Sequence, residues 1–121
     1  MAKCIVADDS RIIRMLLVKI MQNFAFEVIE AEDGEELLEL CAQKTPDLII
    51  SDWTLPVIDG IDVLYKIRGD RKLPQPKFVF CSTMNDIDNI QMAMDGGADD
   101  YILRPFDEDI ISSKLVILGL L

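Results

Sequence analysis

Histidine is absent from the sequence. That absence removes the usual general base of serine and cysteine nucleophiles and the commonest zinc ligand, so hydrolase triads of the Ser-His-Asp kind are excluded. Basic residues are scarce: 12 lysines and arginines stand against 22 acidic residues, for a net charge of −10. Such a balance argues against a nucleic-acid footprint and against docking on an anionic membrane. A cation or a basic protein patch is the better-matched partner. No apolar stretch approaches the roughly 20 residues needed to span a bilayer. Met1 to Lys3 run straight into the first apolar segment, without the charged region and long apolar core of a signal sequence. No membrane insertion and a cytoplasmic location are expected. Cysteines are few; Cys4, Cys41 and Cys81 lie far apart in apolar contexts with no paired metal spacing, and are expected to be reduced and buried.

Apolar material is plentiful. Half of the 121 residues are hydrophobic, which suits a single domain over residues 1–121 with nothing left over for an effector domain. Lys3 to Ala7 reads as a buried strand, and Ser10 as the N-cap of a helix over Arg11 to Phe24. There Ile12, Ile13, Leu16, Leu17, Ile20 and Phe24 make the apolar side, with Arg11, Arg14 and Lys19 largely opposite. Phe26 to Ala31 is a second strand, and Glu35 to Gln43 a helix striped by Leu37, Leu38 and Cys41. Asp47 to Ser51 is a third strand, apolar enough to be covered on both faces. Trp53 to Gly60 is a loop whose glycine is free to take a positive φ before a third helix carrying Ile61, Leu64 and Ile67. Lys77 to Cys81 and Asp99 to Leu103 are strands. Asp86 to Asp95, with Ile87, Ile90 and Met94 on one side, and Asp107 to Leu118 are the helices that follow them. Alternating strands and helices with short connections predict an α/β, doubly wound (βα)5 three-layer sandwich around a five-stranded parallel sheet.

In such a sheet ligands bind outside the carboxyl ends of the strands. Asp8 and Asp9 follow the first strand and Asp52 follows the third. Two carboxylates ~4 Å apart repel by ~1 kcal/mol in water and ~4 kcal/mol at an effective dielectric near 20. Three together raise their own pKa values or recruit a cation. Mg2+ prefers oxygen ligands and takes only one or two protein carboxylates beside water and phosphate, which matches so small a cluster.

Taken in order, Asp8 Asp9 Ser10, Asp52, the turn Pro56 to Gly60, Ser82 Thr83, Gly97 Ala98 and Arg104 Pro105 Phe106 resemble the response-regulator receiver domain of two-component signalling. The resemblance covers essentially the whole chain and is to flavodoxin-like, stand-alone receivers of the chemotaxis-regulator type. It rests on the order and spacing of the pieces, since acid pairs and Asp-Gly turns are common singly. It implies that Asp52 is the phosphoacceptor for a histidine kinase, a phosphotransfer protein or a small phosphodonor. It also implies Mg2+ bound directly by Asp9 and Asp52, through water by Asp8, and by the backbone carbonyl of Thr54. Ser82 falls on the family's switch hydroxyl with Thr83 beside it, and Tyr101 on its switch aromatic. Arg104 falls on its phosphate-neutralising cation, and the Arg104–Pro105 bond is expected to be cis. The implied output is a rearranged surface on the fourth helix, fifth strand and fifth helix that binds a downstream target, with a homodimer also open. Turnover of an external substrate is not expected. The phosphoryl group should be lost slowly, because Thr54 and Met84 offer neither a strong base nor an amide to orient water.

Arg104 departs from the family's usual lysine. Guanidinium is planar and forks onto two oxygens, whereas ammonium is a compact point charge, so Arg104 either neutralises the phosphoryl group or misplaces it. The second outcome would leave a protein-binding module that keeps the receiver fold and works unphosphorylated. Thr83, where small residues are usual, is expected to crowd Asp52. Trp53 is read as packing at the site rim. The apolar end Leu115 to Leu121 either folds back on the core or forms a partner surface. Haloacid-dehalogenase-type phosphatases fit less well, needing a second acid where Thr54 stands, and flavodoxins need a phosphate cradle where the first loop is acidic.

Overall fold

The computed structural model describes residues 1–121, and strands and helices alternate along it without exception. They are β1 (Lys3–Ala7), α1 (Arg11–Asn23), β2 (Glu27–Ala31), α2 (Gly34–Lys44), β3 (Leu48–Ser51), α3 (Gly60–Gly69), β4 (Lys77–Ser82), α4 (Ile87–Asp95), β5 (Asp100–Leu103) and α5 (Glu108–Ile117). All five strands pair in parallel in one sheet of order β2-β1-β3-β4-β5. The doubly wound (βα)5 sandwich expected from the sequence is the fold found.

The sheet divides the core in two. Successive side chains of a strand point to opposite faces. Ile5, Ile49, Phe78 and Phe80 pack with Leu37, Cys41, Leu64 and Ile67 beneath α2 and α3. Cys4, Val6, Leu48, Ile50, Val79 and Cys81 pack with Leu17, Met21, Ile111 and Leu115 beneath α1 and α5. A strand covered on both faces has no solvent side to mark with polar residues, which is why β3 and the middle of β4 read as unbroken apolar runs. Helix starts are marked by side-chain caps: Ser10, Asp33, Asp86 and Asp107 accept the N–H groups of Ile13, Glu36, Asp88 and Ile110 respectively.

Three expectations are corrected. Arg14 is not on the outer side of α1; it is buried with Leu17 and Met21, while Ile12 and Leu16 are exposed. In α4 the buried residue is Ala93, and Ile87 and Met94 face solvent. Gly60 does not take a positive φ. That conformation falls on Val57, at φ 69°, the centre of a tight turn in which the Ile58 N–H donates to the Pro56 carbonyl at 2.8 Å. Gly60 is needed for room, since a Cβ there would lie 2.2 Å from the Asp52 backbone oxygen.

The three cysteines are free and buried, and burial raises each thiol's pKa, that of Cys81 to about 11. Leu115, Leu118 and Leu120 pack against the core, whereas Val116, Ile117 and Leu121 stay exposed. No helix is long and apolar enough to cross a membrane.

Candidate functional site

Register builds the site. Ala7 pairs with Ala31 and Ser51, Ser51 with Phe80, and Ser82 with Leu103, so the carboxyl ends of the strands lie along one edge. The ladder extends one residue further. The Asp8 N–H donates to the Ala31 carbonyl at 3.2 Å, the Asp52 N–H to Ala7 at 3.0 Å and the Arg104 N–H to Ser82 at 3.0 Å. The backbone of each of these charged residues is therefore held by the sheet itself.

The side chains then converge. One carboxylate oxygen from each of Asp8, Asp9 and Asp52 lies within 4.8 Å of the other two. Asp8 is buried, Asp52 half-buried and Asp9 exposed, so the cluster runs from core to solvent. Asp8 Oδ1 accepts the Ser10 N–H at 2.8 Å, and Asp8 Oδ2 pairs with the Arg104 guanidinium. The same guanidinium nitrogen lies 3.5 Å from Asp52 Oδ2 and donates to the Cys81 carbonyl at 3.0 Å. Arg104 Nε is buried without a partner.

These contacts set the electrostatics. Burial pushes the Asp8 carboxyl above the ordinary carboxylate range. The Ser10 N–H and Arg104 oppose that rise, and the Asp52 charge adds to it. Burial works to lower the Arg104 pKa, but the Asp52 and Asp8 charges outweigh it and the net shift is upward. The cluster thus carries three acids and one permanent cation, and stays short of positive charge.

Three carboxylate oxygens so placed are a hard donor set suited to a divalent metal. At a Mg2+–oxygen bond of about 2.1 Å, ligand oxygens lie about 3 Å apart when adjacent and about 4.2 Å when opposite. A cluster within 4.8 Å is of the size such a coordination shell requires. Asp8, Asp9 and Asp52 are the residues able to hold a metal ion.

The switch candidates lie alongside. Ser82 is buried, and its hydroxyl oxygen accepts the Met84 N–H at 3.1 Å. Tyr101 is also buried, with its hydroxyl donating to the Met84 carbonyl at 2.8 Å. Burial raises the Tyr101 pKa, a hydrogen bond with Ser82 opposes that, and the Asp52 charge adds to it. Beneath them Phe80 packs against Trp53, Phe78 and Tyr101 with ring centroids 5.4, 5.1 and 5.7 Å away, a stiff floor for the acid pocket. Trp53 is buried rather than set at an open rim. The Thr54 side chain is exposed. Thr83 is exposed as well; with Ile13, Leu16, Arg104 and Phe106 it lines a groove of about 480 Å³ beside α1. The Arg104–Pro105 bond is cis.

Sequence reasoning missed Arg14. Its Nη1 donates to the Asp8 backbone carbonyl at 2.8 Å, and its Nε and Nη2 pair with Glu30 and Glu32 at 2.9 and 3.4 Å. The available signal was spacing, because Arg14 precedes Leu17 by three and Met21 by seven residues and so shares their face.

The comparisons agree with this geometry. Chemotaxis protein CheY of Listeria monocytogenes is 33% identical over 116 residues, covering 95% of this chain and 96% of that protein. CheY1 of Helicobacter pylori is 31% identical over 120 residues, or 97% of each. The structure of the chemotaxis response regulator CheY4 of Vibrio cholerae matches with a TM-score of 0.87 at 26% identity, over 100% of this chain and 99% of that one. A family model for the response regulator receiver domain matches residues 4–116. With acids and a basic residue gathered at the strand ends of a (βα)5 sheet, and that match spanning nearly its whole length, the chain belongs to the response-regulator receiver family of two-component signalling.

Proposed function

We propose that this receiver is a phosphorylation switch in which Asp52 accepts a phosphoryl group from the phosphohistidine of a kinase or phosphotransfer protein. The observation that carries the reading is the convergence of Asp8, Asp9 and Asp52 within 4.8 Å, with Arg104 paired to two of them. Mg2+ held by Asp9 and Asp52 directly, by the Thr54 carbonyl and through water by Asp8 would supply charge neutralisation at the phosphoryl oxygens. The chain's own residues do the rest. An Asp52 carboxylate oxygen forms the new bond to phosphorus as the phosphorus–nitrogen bond to the donor breaks, and the departing imidazole takes up a proton. Little covalent help is needed in such a transfer, where positioning and electrostatics carry the rate. The buried, unpartnered Arg104 Nε is a donor that a phosphoryl oxygen would satisfy if the side chain turned toward it.

Added negative charge at Asp52 then draws on Ser82 and Arg104 and biases a pre-existing equilibrium. Tyr101, tied to the Met84 carbonyl, links that change to β5 and the start of α4. The output is a surface for a downstream target, and a homodimer is one form such a target takes. The protein acts as a cytoplasmic signalling component rather than a turnover enzyme. Its similarity to chemotaxis proteins supports a role in motility control. A phosphorylation-independent module is not favoured, because Arg104 points into the acid pocket and pairs with its carboxylates.

Intact mass after incubation with Mg2+ and acetyl phosphate tests the reading. A single phosphoryl adduct, absent in Asp52→Asn and absent without Mg2+, is expected. A folded wild type that stays unmodified by acetyl phosphate and by phosphorylated kinases would overturn it.

A further inference from the structure

We propose that Arg14 is a positioning residue for the metal site, holding the peptide that joins Asp8 to Asp9; the inference rests on the metal reading above. Arg14 makes no hydrogen bond or ion pair with any of the three acid side chains. Its guanidinium donates instead to the Asp8 backbone carbonyl at 2.8 Å, from a side chain only 9% exposed. The Asp8 N–H is already held by the Ala31 carbonyl of β2 at 3.2 Å. That N–H belongs to the preceding Ala7–Asp8 peptide, and the Arg14 bond holds the next one, so two successive peptide planes are held where the chain enters Asp9. Asp9 itself is exposed, with one carboxylate oxygen within 4.8 Å of oxygens of Asp8 and Asp52. The direct metal ligand closest to solvent is thus aimed through its backbone, and Arg14 supplies the anchor on the peptide that joins it to Asp8.

The rest of the guanidinium explains why the residue is arginine. Nε pairs with Glu30 at 2.9 Å and Nη2 with Glu32 at 3.4 Å. One planar group therefore connects α1, the end of β2 and the β1–α1 junction. A lysine ammonium is a point donor that reaches the Asp8 carbonyl or Glu30 without forking across both. A buried cation without its carboxylates would be unfavourable, and Glu30 and Glu32 meet that need from the solvent side.

Coulomb's law and positioning disagree in sign here, which makes the proposal testable. A positive charge near a cation site repels the cation, so removing Arg14 would tighten Mg2+ binding if charge alone mattered. Loss of an orienting partner weakens binding, typically by 10- to 100-fold when such outer partners of metal ligands are replaced. A merely structural Arg14 would lower the urea midpoint and leave the affinity of the folded protein unchanged.

The experiment is calorimetric titration of MgCl2 into wild type, Arg14→Met and Arg14→Lys, with folding checked by circular dichroism. Arg14→Met is expected to bind Mg2+ roughly tenfold more weakly than wild type, as the outer-partner precedent indicates. Arg14→Lys, which keeps the charge, is expected to fall between the two. An Arg14→Met dissociation constant equal to or tighter than wild type overturns the proposal. If Arg14→Met does not fold, Arg14→Lys decides alone: weaker binding supports positioning, and an unchanged constant overturns it. Failure of wild type to bind Mg2+ at all removes the metal reading and this inference with it, an outcome distinct from variants that match a binding-competent wild type.

Discussion

Arg104 sits where a bound cation would feel it most, and replacing it should change Mg2+ affinity and phosphorylation in opposite directions. Its guanidinium pairs with Asp8 and lies 3.5 Å from Asp52 Oδ2. A Mg2+ ion about 2.1 Å from an Asp52 oxygen would then lie no more than about 5.6 Å from that nitrogen. Between a single and a double positive charge at that distance, repulsion is about 1.5 kcal/mol at the dielectric of water and about 6 kcal/mol at an effective value of 20. The lower figure already corresponds to a factor of about ten in affinity. Arg104→Gln, titrated with MgCl2 by calorimetry, is therefore expected to bind Mg2+ at least about tenfold more tightly than wild type, with Arg104→Lys close to wild type because the charge stays. The separation is shorter than the Debye length of about 8 Å at physiological salt, so the difference should survive there and shrink near 1 M, where that length is about 3 Å. At saturating Mg2+, Arg104→Gln should accept phosphate from acetyl phosphate more slowly than wild type, having lost the cation that faces the transferred group. Unchanged or weaker Mg2+ binding in Arg104→Gln would refute the view that Arg104 and the metal compete for the same carboxylates.

Asp8 gives a stability test with a defined sign. Its folded pKa is raised above the ordinary value of 3.8, so its contribution to stability is fully present below that value and is lost as pH rises through the folded pKa. Relative to wild type, Asp8→Asn should therefore be more favourable at pH 7 than at pH 3 in urea denaturation; a difference of the opposite sign would contradict the assignment. Gly60→Ala places a Cβ 2.2 Å from the Asp52 backbone oxygen and 3.1 Å from Phe80. It should lose about 1 to 3 kcal/mol and slow phosphorylation of Asp52, and an unchanged urea midpoint would show that the loop yields freely. With Thr54 exposed and Met84 half-buried, nothing strongly basic stands ready to activate water. The phosphorylated protein, followed by intact mass after donor removal, should lose its adduct over minutes or longer, and loss within seconds would count against this.

Where the sequence pattern and the structure differ, the reason is specific to each element. In α1, apolar side chains lie on more than one side, and chemical character alone places Ile12 and Leu16 inward and Arg14 outward. The sheet instead receives Leu17 and Met21, and Arg14 comes with them. In α4 the inward position is Ala93, a residue whose small apolar area leaves little trace in a hydrophobic pattern. At the β3–α3 loop, glycine chemistry pointed to a left-handed conformation at Gly60. The limit there is contact with the Asp52 backbone, which depends on a neighbouring strand end.

What the sequence determined by itself is local and repetitive. Short apolar runs alternating with helical periodicity define the strands and helices, side-chain caps mark the helix starts, and acids directly after strands mark the functional edge, because each signal lies within a few residues of its effect. The tertiary structure alone decided how charges separated in sequence meet. Asp8 and Arg104 are 96 residues apart and become a pair only because β1, β3, β4 and β5 share one register, carrying each strand end to a common edge. Whether Arg14 faced water or the Asp8 carbonyl was settled in the same way, by how α1 rotates as it packs on the sheet. Spacing puts Arg14 on the face of Leu17 and Met21, but that this face is the one turned to the sheet follows from side-chain volumes contributed by both partners.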